Sequence, residues 1–135
     1  MLEDIDRHAL FNELHCSIER TATSAVKELM SGVPDLIYPP NHGLLQDEES
    51  ALASIAKGPA MERALRKLIA SAAATPIFDL LCLADGVSDV PALGDIKATD
   101  LTATELMLHD GFYESYWAWR RRRPDPGWRL DTYKG

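Results

Sequence analysis

Between residues 108 and 124 the chain reads LHDGFYESYWAWRRRRP, which holds five of its ten aromatic side chains and four consecutive arginines. Guanidinium groups beside aromatic rings are the chemistry of carboxylate and phosphate recognition, because a planar fork of N–H donors grips two oxygens while its face stacks on a ring. On a helix advancing about 100° per residue, Phe112, Tyr113, Tyr116, Trp117 and Trp119 spread over an arc of about 160°, wider than a surface helix requires. That spread predicts a helix wedged into the interior of the fold, with the polar tips of its rings at the margin. Arg121 and Arg122 fall on the far side, toward solvent. Arg120 and Arg123 fall on the aromatic side, where with Tyr116 they are the candidate contacts for an anion or a partner. An internal tie to a carboxylate is the plainer use of the same two arginines.

A second group lies near the N-terminus. Asp4, His8, Asn12, His15 and Glu19 recur at spacings of three and four, so a helix gathers them into one polar stripe. Imidazole and carboxylate together suit a divalent metal or acid-base work. His8, His15 and Glu19 are therefore the candidate ligand or catalytic set, with His42 or His109 as the residue that would complete it. None of the dedicated metal spacings occurs, and i,i+4 pairing of Asp4 with His8 and of His15 with Glu19 explains the stripe without chemistry. The doublet His15-Cys16 is no nucleophile and base, since adjacent helical side chains diverge by about 100°. DGVSDVPALGD, residues 85–95, lacks the alternation and terminal glutamate of a calcium loop. There is no glycine-rich phosphate loop.

These residues sit in an acidic chain of 135 residues with net charge -7 and 46% apolar side chains, enough for one ordinary domain with a core of its own. The charge is unevenly laid down: residues 1–119 hold 19 acidic and 8 basic side chains, residues 120–135 hold 2 and 6, giving -11 and +4. Such a body repels a phosphate backbone and offers no extended basic track, which argues against nucleic acid as a partner. The N-terminus MLEDIDRH has neither the basic nor the apolar region of a secretory signal, and no uninterrupted apolar run approaches about eighteen residues. The expectation is a cytoplasmic protein without a membrane span. Cys16 and Cys82 lack any CxxC partner and read as small buried hydrophobes rather than a disulfide.

The elements that must position these groups are legible from punctuation and period. Glu3 to Ser31 is free of glycine and proline, and Phe11, Leu14, Ile18, Ala22, Ala25 and Leu29 form an apolar stripe, predicting one long helix stopped by Gly32 and Pro34. VPDLIYPPNHG reads as an irregular surface connection. Asp47 is the expected N-cap of a short helix reaching Lys57, followed by an alanine-rich helix over 60–74. Thr75 and Pro76 then read as cap and first turn of a separate short helix, IFDLLCLAD, with a buried strand as the alternative for residues 77–85. Residues 86–104 are expected to hold a small β-hairpin or only ordered loop. A last helix runs from Thr104 or Asp110 to Arg122, before Pro124.

The fold class expected is mainly α, a compact single-domain bundle of four to five helices spanning residues 1–135. The function expected is that of a small acidic protein-binding module of regulatory, inhibitory or immunity type, acting on a macromolecular partner, best a basic protein, and needing no cofactor. The alternative is a metal-dependent or acid-base enzyme built on His8, His15 and Glu19 with a divalent metal.

Overall fold

The computed structural model describes residues 4–40 and 43–85, together with Tyr113, Trp117, Ala118 and Arg121. Among these residues the protein is mainly helical and has no strand; they form three helices, α1 (Asp4–Ser31), α2 (Gln46–Ala53) and α3 (Pro59–Asp85). Tyr113, Trp117, Ala118 and Arg121 are also helical. The expected hairpin at 86–104 and most of the expected last helix lie outside the described residues, so the four-to-five-helix count is not reached within them.

The chain divides into two compact units, one of residues Met1–Pro34 and Ile55–Cys82, the other of Asp35–Ser54 and Leu83–Gly135. The first unit holds α1 and most of α3, and its buried apolar side chains are Ala22, Val26 and Leu29 on α1. These three recur at spacings of four and three and share one face. The expected stripe names that face correctly but omits Val26 and extends too far: Phe11 is 38% exposed, and every described side chain from Arg7 to Glu13 is exposed. Periodicity specifies which face is apolar. It carries no information on how far along the axis a neighbour covers it.

α1 stops where expected. The Ser31 hydroxyl donates to the Lys27 and Glu28 carbonyls (2.9 and 3.2 Å), a local side-chain bond in the last turn, and Gly32 comes next. The expected buried cysteines are corrected here: both are free thiols, Cys16 exposed and Cys82 half-buried. Cys16 sits about 120° around the helix from Ala22, off the covered face.

In the second unit the cap of α2 lies two residues before the expected one. Leu45 occupies the N-cap position, and the Glu48 carboxylate reaches back to accept its backbone N–H at 2.7 Å. Asp47 is already inside the helix, where it accepts the Glu48 N–H at 3.0 Å, and with Glu48 and Glu49 places three carboxylates in the first turn, against the positive end of the helix dipole. The end comes at Ala53, short of Lys57. There the Ser54 hydroxyl turns onto the Ala51 carbonyl at 2.7 Å, a local bond that competes with helix continuation.

α3 overturns the expected break at Thr75-Pro76. Gly58 offers its carbonyl to the Glu62 N–H at 3.0 Å, Pro59 fills the first helical position, and the helix runs on for 27 residues with Pro76 inside it. Residues 77–85 are thus helical, neither a strand nor a separate helix. The Thr75 hydroxyl donates to the Ser71 carbonyl at 3.2 Å, four residues back, instead of capping a new helix. Continuity has a second consequence. Read as two pieces, the apolar sequence is too short to span a bilayer; as one helix it contains an 18-residue stretch of mean hydropathy 1.6, none of it buried, long and apolar enough to cross a membrane by length and composition alone. The core helix of a soluble protein has the same length and composition.

Candidate functional site

His8, His15 and Glu19 lie along α1 and are all exposed. No group of three His, Cys, Asp or Glu side chains among the described residues is placed to hold a metal ion. His42 and His109, which would complete the set, lie outside those residues. Among the described residues an ion pair on this helix joins Glu13 and Arg20, seven residues apart, at 2.7 Å. Seven residues make nearly two turns, so long side chains on one face meet across that interval. The hydrogen bond from Arg20 to Glu13, and then the charge of the same carboxylate, raises the guanidinium pKa above its usual value. Looking for i,i+4 partners alone misses this pair.

Glu19 lines a shallow groove of about 570 Å³ with Cys16, Arg20, Thr23, Ser24 and Lys27, on a side of α1 turned away from Ala22, Val26 and Leu29. A second groove of about 400 Å³ joins the two helices of the first unit: Thr23, Val26, Lys27, Met30 and Ser31 from the end of α1 meet Glu62 and Arg66 from the first turns of α3. Both mix cationic and anionic side chains over hydroxyl and apolar walls. Neither brings His8 or His15 beside Glu19 among its described lining.

Of the aromatic and arginine segment, Tyr116, Arg120 and Arg123 lie outside the described residues. Arg121 is exposed, in keeping with its expected solvent side, and Trp117 is half-buried. Tyr113 is 41% exposed and its ring lies 6.4 Å from that of Tyr38 at an interplanar angle of 48°. This tilted aromatic pair, within the range of favourable ring contacts, joins the proline-rich connection to the aromatic segment inside the second unit. No period or motif signals it, since the two residues are distant in sequence.

Large apolar side chains stand exposed in both units. On α3 they are Leu68, Phe78 and Leu80; in the connection after α1 they are Val33, Leu36, Ile37 and Tyr38. Scattered single exposures are ordinary for a folded protein, whereas grouped ones mark contact surfaces. No protein-family model, no curated protein and no solved structure matches this chain.

Proposed function

We propose that the chain is a small acidic protein-binding module of regulatory, inhibitory or immunity type, acting in the cytoplasm on a macromolecular partner, its helices those of a four-to-five-helix bundle. The observation that carries this reading is the exposure of large apolar side chains on ordered helix: Leu68 at 66% and Phe78 at 67% on α3. They stand ten residues apart, about 15 Å along the axis and about 80° apart around it, on the same broad side as Ala64, Ser71 and Thr75. Covering a large apolar side chain contributes about 1.5–3 kcal/mol, so such a face favours a partner that buries it. The net charge of -7 supports a basic partner, because opposite charge speeds encounter and rejects wrong surfaces.

The test is affinity capture from cells that make the protein, confirmed by reciprocal capture with purified partner. The reading expects a partner retained by the unmodified chain and lost with Leu68→Asp plus Phe78→Asp, or with substitutions at the apolar connection, while thermal melts stay unchanged. A chain that retains no protein in reciprocal capture refutes it.

A second reading, insertion of α3 into a bilayer, is favoured by its hydropathy. Against it stands Asp79 within the helix, a charge that is costly in hydrocarbon. Co-flotation with neutral phosphatidylcholine vesicles in high salt would establish insertion; remaining with the soluble fraction supports the protein-binding reading.

A further inference from the structure

The net charge of the chain is not shared between its two units. Residues 1–34 and 55–82 hold 8 acidic and 7 basic side chains, a balance of -1, whereas residues 35–54 and 83–135 hold 13 and 7, a balance of -6. The second unit carries nearly all of the excess even though it contains the four-arginine run. Within it, residues 35–54 have four carboxylates, Asp35, Asp47, Glu48 and Glu49, and no lysine or arginine. The same stretch holds Leu36 at 42%, Ile37 at 69% and Tyr38 at 41% exposure, and Tyr38 sets its ring against the equally exposed Tyr113. Aliphatic surface, two tilted phenol rings and excess negative charge thus belong to one compact unit.

We propose that Leu36, Ile37, Tyr38 and Tyr113 form a docking surface for a basic, apolar-anchored protein segment, one whose arginines alternate with leucine-type side chains. The proposal rests on the protein-binding reading and names the face and the partner's chemistry. Charge complementarity selects the occupant. A guanidinium stacks on a tyrosine ring and pairs with a carboxylate such as Asp35, whereas an acidic segment would meet a field of its own sign. Leucine-type anchors cover Leu36 and Ile37, removing from water the apolar surface that the unit leaves exposed. The carboxylates steer the encounter at long range and the apolar groups hold the complex once formed, a division that makes association sensitive to salt and dissociation sensitive to the anchors.

The experiment is fluorescence anisotropy of the full chain with a labelled synthetic peptide of arginines interspersed with leucines, beside one with glutamate in place of arginine and one with serine in place of leucine. The expected result is binding of the first peptide alone, weakened by added salt and by about tenfold or more with Ile37→Ser, the scale of losing one buried anchor. Asp35→Lys, an exposed charge reversal that leaves the apolar residues in place, is expected to slow association and to speed dissociation by less than Ile37→Ser does. Equal binding by Ile37→Ser, or equal binding of the glutamate peptide, overturns the proposal. So does sedimentation showing that the surface is occupied by a second copy of the chain. A captured partner that survives Ile37→Ser but is lost with Leu68→Asp plus Phe78→Asp overturns this surface while leaving the protein-binding reading intact.

Discussion

Pro76 offers the sharpest test of how this chain is built, because two local structures assign its substitution different outcomes. Inside continuous α3 it removes the amide that would donate to the Ala72 carbonyl, and its ring crowds that carbonyl; an interior proline costs about 3 kcal/mol relative to alanine. Its side chain is exposed, so replacing it leaves no cavity. The surrounding turn is built around the ring and the more flexible alanine loosens the unfolded chain, so only part of the penalty returns. Pro76→Ala is therefore expected to stabilise the protein by about 1–2 kcal/mol, a rise of about 3–8 °C in Tm for a chain of this size. Thr75→Ala is the companion. In the continuous helix it removes only a hydroxyl that bonds back to Ser71 and introduces a better helix former, so the midpoint should hold or rise slightly. If Thr75 were instead the cap of a new helix, with Pro76 at its first position, Thr75→Ala would cost about 1 kcal/mol and Pro76→Ala would gain nothing. Urea melts followed by circular dichroism at 222 nm decide between them. A destabilised Thr75→Ala together with an unimproved Pro76→Ala refutes the continuous helix and the reasoning drawn from it.

Three further outcomes are expected. Ala22 is fully enclosed at 0% exposure, so Ala22→Leu should destabilise by about 1–3 kcal/mol in denaturant melts through overpacking, and a neutral result would show that the α1 face is not covered there. Glu13→Gln removes the charge from an ion pair whose side chains are both about two-thirds exposed, and the denaturation midpoint should stay in place; a clear drop in low salt would reveal coupling beyond the pair. The enzyme alternative on His8, His15 and Glu19 requires a zinc- or manganese-induced rise in Tm that His15→Ala abolishes, and a Tm that neither metal moves would retire it.

Local chemistry made α1 readable. A run without glycine or proline, an apolar period and Gly32 after the last turn place its end at Ser31 with no knowledge of any neighbour. The mainly α character and the display of His8, His15 and Glu19 along one helix arise from the same short-range rules. Competition was beyond the reach of those rules. At Thr75-Pro76 the cap chemistry is genuine, yet the helix continues through it. At Asp47 a good capping side chain is bypassed because Glu48 can reach back to Leu45 from three residues ahead. Burial is non-local in a stronger sense: Phe11 and Ala22 belong to one apolar stripe, but only the second is enclosed. The Tyr38 and Tyr113 rings meet through tertiary folding alone, as does the groove where Val26 and Met30 face Glu62 and Arg66. Backbone propensity is settled within a few residues, whereas enclosure and ring contact depend on which distant segments arrive, and that is decided only when the whole chain packs.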